Sequence, residues 1–132
     1  MQSEEKITLS KMRLVKAEEC LADAALLADG GSFKSLVNRS YYAVFHFMRA
    51  VLALDGFDSK KHSGVISEFQ KLYIKTGVFD KEMSVVIRRL FLARNNSDYD
   101  DFFIISKEDA VRQFEDAKMF VLNVRKFLET AY

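Results

Sequence analysis

The chain contains no proline and only five glycines, and this constrains its fold more than any other feature. Proline interrupts helices and glycine weakens them, so their scarcity favours long uninterrupted helices. Each glycine lies at or beside a break between segments with helical periodicity; they are Gly30, Gly31, Gly56, Gly64 and Gly77. No segment alternates apolar and polar residues as a half-buried strand would. The pattern therefore predicts an all-α fold.

Apolar residues recur at helical spacing in five segments. We expect helices over about residues 4–29, 33–55, 63–76, 80–95 and 107–130, of which the third is short. The second segment is apolar nearly all round, which predicts a central helix. Ser32 and Asp80 precede helices as candidate N-caps, and Ser106 with Asp109 resembles a capping box. Short connections then predict an antiparallel up-and-down bundle of four long helices and one short helix, in a single domain over residues 1–132.

The composition excludes several classes of protein. No apolar run reaches 18 residues, so no membrane span is expected. The first residues, MQSEEKITLSKMR, lack an apolar signal core, and Cys20 is the single cysteine; both features predict a cytoplasmic protein without a disulfide framework. The net charge is +1, so any contact with RNA should be local rather than spread along a basic face. Twelve Phe and five Tyr suggest that the chain associates with itself.

Arg94 occupies a position that the helical pattern assigns to the core. Met83, Ile87, Leu90 and Arg94 follow one another at helical spacing and share one face, and Asp98 falls on that face one turn later. Because an unpaired buried charge is costly, Arg94 requires a partner. Two interpretations stay open. Either Arg94 and Asp98 form a structural ion pair, or the guanidinium is presented to a phosphate with Asn95 as a polar neighbour.

His46 lies in the second predicted helix on a line with Arg39 and small alanine residues. Small residues at this spacing let another helix approach closely. His46 is therefore either a hydrogen-bonded interior histidine at a helix crossing, or a group that transfers protons or contacts phosphate beside Arg39 and Tyr42.

The stretch Lys60-Lys61-His62-Ser63-Gly64 precedes the third predicted helix. Backbone N–H groups at a helix start and two lysines would suit an anion, although a solvated loop with a capping serine also fits. No Cys or His stands at metal-ligand spacing from His62 or His46, so neither a metal nor a cofactor is expected. No glycine-rich phosphate loop or Gly-x-Ser-x-Gly elbow is present.

Three segments together resemble the HEPN domain family. They are Asn38-Arg39-Ser40-Tyr41-Tyr42-Ala43-Val44-Phe45-His46, Lys61-His62-Ser63-Gly64-Val65 and Arg94-Asn95-Asn96-Ser97-Asp98-Tyr99. Their order and helical setting are similar to those of the small stand-alone prokaryotic members, and the likeness extends from about residue 8 to residue 128.

The resemblance implies a dimeric helical bundle. Many members are metal-independent RNases, often toxins held in check by a minimal nucleotidyltransferase. In these, an Arg followed after four to six residues by His lies near the dimer axis, and the ribose 2′-OH attacks the adjacent phosphate. Here Arg94 and Asn95 match, but Tyr99, Asp100 and Asp101 occupy the positions where the His should fall.

Three functional hypotheses follow. The leading one is a homodimeric HEPN-like protein that binds a nucleotide or RNA phosphate through Arg94, Asn95, Arg39, Lys61 and His62, in a two-component system with a nucleotidyltransferase. The second is an active RNase that uses Arg94 with His46, Asp98 or Tyr99. The third is a structural adaptor dimer in which the Arg94–Asp98 pair only shapes the interface.

Overall fold

The computed structural model describes residues 3–132, so the first two residues of the predicted single domain lie outside the described residues. Within this range there are five α-helices and no β-strand: α1 (Glu4–Asp29), α2 (Phe33–Ala53), α3 (His62–Phe69), α4 (Glu82–Tyr99) and α5 (Lys107–Ala131). A π-helical segment, Gln70–Ile74, continues α3 directly. The predicted all-α bundle of four long helices and one short helix is confirmed.

Helix α2 is the centre of the bundle and packs against each of the other four helices. Its largest fully buried side chains include Tyr41, Phe47, Met48 and Leu52. This agrees with a sequence that is apolar nearly all round, because a helix without a polar face has to be covered on every side.

Contacts between side chains far apart in sequence show how the long helices run. Ser10 Oγ donates to the Ala50 carbonyl at 2.7 Å, and Arg13 Nη1 donates to the Arg49 carbonyl at 3.1 Å, so α1 and α2 are antiparallel. Arg89 on α4 pairs with Asp116 on α5 at 2.6 Å. The contacts between α1 and α2 bring the start of α1, the end of α2 and the loop after α2 to one end of the bundle.

The N-terminal caps of the helices follow the predictions in part. Ser106 Oγ accepts from the Asp109 N–H at 3.1 Å, which is one of the two hydrogen bonds of the predicted capping box. Ser32 precedes α2, but its hydroxyl makes no capping bond. Asp80 accepts from the Glu82 N–H at 2.9 Å although Lys81 holds the N-cap position.

Two predicted helix boundaries were wrong. The third predicted helix, 63–76, is divided into α3 and the π-helical segment, because an extra residue enters the turn at Gln70. The fourth ends at Tyr99 rather than near residue 95. It continues because Ser97 is buried and Asp98 pairs with Arg94 across one turn, which stabilises the last turn despite its polar sequence.

Candidate functional site

Arg94 is turned into the protein from α4, and its side chain is 15% exposed. Its Nη2 donates to the Tyr42 hydroxyl at 2.8 Å, and its Nη1 donates to Asn95 Oδ1 at 3.5 Å. Its Nε lies 2.9 Å from Asp98 Oδ2, but the N–H bond is not directed at that oxygen, so this contact is an ion pair without a hydrogen bond. The guanidinium is thus held by one carboxylate, one amide and one phenol.

Two tyrosine rings complete the surroundings of Arg94. The guanidinium carbon lies 5.6 Å from the ring centre of Tyr41 and 5.3 Å from that of Tyr42. Cation–π attraction at these distances adds to the ion pair. The consecutive tyrosines on α2 therefore fix the position of a charge that α4 provides.

His62, the first residue of α3, is held by the other side of the same tyrosine pair. Its Nδ1 forms a hydrogen bond of 2.7 Å with the Tyr41 hydroxyl, and its ring stacks on Phe45 with centres 4.0 Å apart. Burial and the neighbouring Arg94 and Arg49 charges lower the pKa of His62, and burial raises the pKa of Tyr41. Both groups are accordingly neutral near pH 7.

His46 is buried at 7% exposure, and its ring is 6.0 Å from that of Tyr42. Burial first, and then the nearby positive charges of Lys16 and Arg49, lower the pKa of His46 to about 4. Its Nδ1 has no hydrogen-bond partner within the described part of the chain, so the expectation of a hydrogen-bonded interior histidine is not met at this atom. A neutral imidazole in this position can donate one hydrogen bond and accept another.

Both histidines line an open cavity of about 430 Å³, which we call the basic cavity. Its wall includes Tyr42, and its charged side chains are Lys16, Arg49, Lys60 and Asp58. Asp58 lies 3.2 Å from Arg13 and 3.4 Å from Arg49, so two arginines share its charge. Positive charge therefore exceeds negative charge around the cavity. Arg94 does not line it; Tyr42 stands between them.

The structure brings four of the predicted residues together around Tyr41 and Tyr42. Arg94 contacts Tyr42, Asn95 and Asp98. His62 contacts Tyr41. Arg39 lies nearby, with its guanidinium 5.9 Å from the Tyr42 ring centre.

Two predicted residues make none of the contacts described above. The Lys61 side chain is exposed and does not line the basic cavity, where Lys60 stands instead. Tyr99 is 78% exposed at the end of α4.

Several residues of the site were missed in the sequence, and two had a detectable signal. Arg49 follows Tyr42 and His46 at helical spacing and so shares their face of α2. Arg13 belongs to the buried stripe of α1, in which the spacing alternates between three and four: Ser10, Arg13, Ala17, Cys20 and Ala24. This is the same kind of signal that identified Arg94. Lys16 and Asp58 carried no such signal, because tertiary packing alone brings them to the cavity.

Neither a metal site nor a membrane-spanning helix is found in the described residues. Between Ser3 and Tyr132, no three His, Cys, Asp or Glu side chains are grouped so that they could hold a metal ion. Over the same range, no helix combines the length and the apolar character needed to cross a bilayer.

An all-α bundle that carries an arginine from α4 beside two tyrosines of α2, near a histidine of α3, defines the class of the protein. The sequence profile of the HEPN domain matches residues 10–128. The chain therefore belongs to the HEPN domain family, as the three sequence segments suggested.

Relatives from a bacterium and an archaeon match most of the chain. It is 35% identical over 114 residues to a "UPF0332 protein" of Thermotoga maritima, covering 86% of both chains. It is 33% identical over 113 residues to a protein of Methanocaldococcus jannaschii named "putative toxin", covering 86% of this chain and 77% of the relative. A second protein of that archaeon with the same description is 31% identical over 113 residues, with coverage of 86% and 84%.

Proposed function

We propose that this chain is a toxin-type HEPN protein that binds the phosphates of RNA at the basic cavity beside Arg94. Its family and the names of its archaeal relatives support the toxin class. The observation that carries the binding function is the excess of positive charge in a cavity whose wall includes two neutral imidazoles and the tyrosine that holds Arg94.

The cationic side chains of the basic cavity differ in whether a carboxylate already pairs with them. Arg49 is engaged with Asp58, whereas Lys16 and Lys60 form no ion pair within residues 3–132. Phosphate binding supplies the counter-charge that these lysines lack, and each contact releases bound ions from the nucleic acid. His46 and His62, being neutral, can donate hydrogen bonds to the phosphate oxygens, and can donate to or accept from the ribose hydroxyls.

Cleavage of the bound RNA is a second candidate function, favoured by one observation. The buried Nδ1 of His46 has no hydrogen-bond partner in the described chain, and the residue lines the cavity. In that role the imidazole would accept the 2′-OH proton while a nearby cation stabilises the phosphate, but a pKa of about 4 makes His46 a weak base near pH 7. Asp98 fits the role of base poorly because Arg94 holds its carboxylate, and Tyr99 is not part of the cavity wall. Binding without cleavage is therefore the leading proposal.

Fluorescence anisotropy with a labelled single-stranded octauridylate tests the binding function. We expect the wild type to bind and Lys60→Ala to bind roughly 3- to 10-fold more weakly, because the variant lacks one exposed phosphate-binding charge and breaks no ion pair. Lys34→Ala is the matched control, since Lys34 is exposed at the start of α2 and does not line the basic cavity. Equal affinities of the two variants, or no binding by the wild type, would contradict the proposal.

A gel assay separates binding from cleavage. Incubation of the RNA with the wild type and with Arg94→Ala in the presence of EDTA, followed by gel analysis, detects metal-independent cleavage. Products from the wild type alone would establish the RNase alternative. Intact RNA in both reactions, together with tight binding, supports the binding function.

The toxin class also implies partners, and we propose two. One is a second copy of the chain, for which α4 offers exposed apolar side chains seven residues apart: Val85, Leu92 and Tyr99, at 46%, 49% and 78% exposure. The other is a nucleotidyltransferase that holds the toxin in check. Copurification of the chain with such a protein encoded beside it would support this pairing.

A further inference from the structure

A second cavity, of about 570 Å³, lies between α4 and the unit formed by α3 and the π-helical segment; we call it the α3–α4 groove. Three cations stand around it, Lys71, Lys75 and Arg88, and none of the described residues that line it carries a carboxylate. Its apolar part includes Phe91, and its polar part includes Gln70. It combines the components of a nucleotide-binding subsite, namely an aromatic face, an amide and positive charge.

The cations of the groove lack strong partners. Lys71 Nζ lies 3.7 Å from the Glu68 carboxylate, a loose pair, while Lys75 and Arg88 form no ion pair within residues 3–132. Arg89 provides the contrast, because it pairs with Asp116 at 2.6 Å on another face of α4. The adjacent arginines therefore differ. Asp116 neutralises Arg89 within the fold, whereas Arg88 is available to an anion.

The π-helical segment determines which residue faces the groove. Ser63, Ser67 and Gln70 line the groove at helical spacing, and a regular α-helix would next bring residue 74 to this side. The π turn, in which the Lys75 N–H donates to the Gln70 carbonyl at 2.8 Å, adds one residue. As a result Lys75 lines the groove while Ile74 is buried. The π turn thus leaves Ile74 in the core and Lys75, beside Lys71, at the groove.

The amide of Gln70 is oriented by a neighbour. The Ser84 hydroxyl donates to Gln70 Oε1 at 3.2 Å, which ties α4 to the π-helical segment. The amide N–H groups of Gln70 have no partner among the described residues. They remain free to donate to a base or a phosphate oxygen beside the Phe91 ring.

The groove adjoins the basic cavity. His62 lines the cavity and Ser63 lines the groove, so the first turn of α3 separates the two. On the other wall, the Phe91 ring lies 6.0 Å from that of Tyr41, which contacts both His62 and Arg94. A strand that leaves the cavity across the start of α3 would enter the groove directly.

We infer that the α3–α4 groove is a second subsite for single-stranded RNA, in which a base stacks on Phe91 and the backbone phosphate lies against Lys75 and Arg88. This inference rests on the proposed RNA-binding function and extends it. The ligand is then an oligonucleotide that occupies both sites rather than a single nucleotide.

Anisotropy titrations of Lys75→Ala and Arg88→Ala with labelled octauridylate and diuridylate, over a range of salt concentrations, test the inference. For the octamer we expect roughly 3- to 10-fold weaker binding, and a slope of log K against log salt that is smaller by about 0.7 for each phosphate that is no longer neutralised. Diuridylate carries a single linking phosphate, which the proposed function assigns to the basic cavity, so it should bind the variants as it binds the wild type. Arg89→Ala and Lys34→Ala are the matched controls for the removal of a positive charge.

The possible outcomes are distinct. Octamer affinities and salt slopes equal to those of the controls would overturn the groove subsite while the proposed function stands. An equal loss of affinity for diuridylate and for octauridylate would overturn the two-site arrangement. Failure of the wild type to bind either RNA would remove the proposed function and this inference with it. Since Lys75 and Arg88 are exposed, both variants should fold, and thermal melts followed by circular dichroism verify this.

Discussion

At the scale of single residues, the fold uses arginines as core-facing side chains at two places. Arg94 meets Asp98, Tyr42 and the face of Tyr41, and Arg13 meets Asp58 and the Arg49 carbonyl. In each case a carboxylate balances the charge, as a largely buried guanidinium requires. The proposed phosphate binding would therefore rely on cations that pair with no carboxylate within residues 3–132, above all Lys16 and Lys60.

His46 predicts a dependence of stability on pH. The pKa of His46 is about 4 in the folded protein and about 6.5 in an unfolded chain. Between these two pH values the unfolded state binds a proton that the folded state does not bind. The free energy of unfolding therefore has its full value above about pH 6.5 and decreases as the pH falls toward about 4. Urea unfolding at pH 7 and pH 4.5 should show a decrease of about 2 kcal/mol that His46→Gln reduces. An unchanged pH dependence in the variant would show that burial of His46 is not its cause.

At the scale of elements, the short helix α3 contributes residues to both cavities. It places His62 in the basic cavity and Ser63 in the α3–α4 groove, and it passes without interruption into the π-helical segment. Its glycine, Gly64, is required by space rather than by backbone angle. A Cβ at this position would lie 2.5 Å from Ser59 Oγ, and that hydroxyl accepts from the Lys61 N–H.

Gly64→Ala should accordingly destabilise the protein, although the same change inside a helix normally stabilises it. We expect a decrease of about 1–2 kcal/mol in the free energy of unfolding, because Ser59 must be displaced. The double variant Ser59→Gly/Gly64→Ala should recover part of this decrease. Denaturant titrations of both variants and the wild type measure the difference, and a Gly64→Ala protein more stable than the wild type would refute the steric argument.

At the scale of the whole molecule, a nearly neutral chain separates its charges by position. The net charge is only +1, yet both the basic cavity and the α3–α4 groove carry an excess of cations. Acidic residues gather elsewhere, including Asp98, Asp100 and Asp101 around the end of α4. Because screening confines each field to about 8–10 Å at physiological salt, local composition matters more than the total charge.

The proposed homodimer leads to a matched test on the surface. Leu92 on α4 and Leu122 on α5 are equally exposed, at 49% and 50%, so a glutamate should affect folding similarly at either position. If the outer face of α4 forms the dimer, Leu92→Glu should shift the protein from dimer to monomer in light scattering, whereas Leu122→Glu should remain dimeric. A dimer that survives Leu92→Glu would place the interface elsewhere, and a monomeric wild type would remove it.

The helical class, the central place of α2 and the inward position of Arg94 followed from the sequence alone. Periodicity and the scarcity of helix breakers are local properties, and they suffice to decide which face of a helix is covered. The same logic would have found Arg13, since its stripe on α1 has the same period.

The partners of these residues were decided only by tertiary structure. Tyr42 reaches Arg94 across 52 positions of the chain, and Lys16 meets Lys60 at one cavity because α1 and the loop after α2 converge. The π turn that moves Lys75 into the groove also has no sequence period of its own, because it interrupts the one around it. Short-range spacing determines the faces of the helices, whereas the charges that meet between those faces depend on how the whole bundle packs.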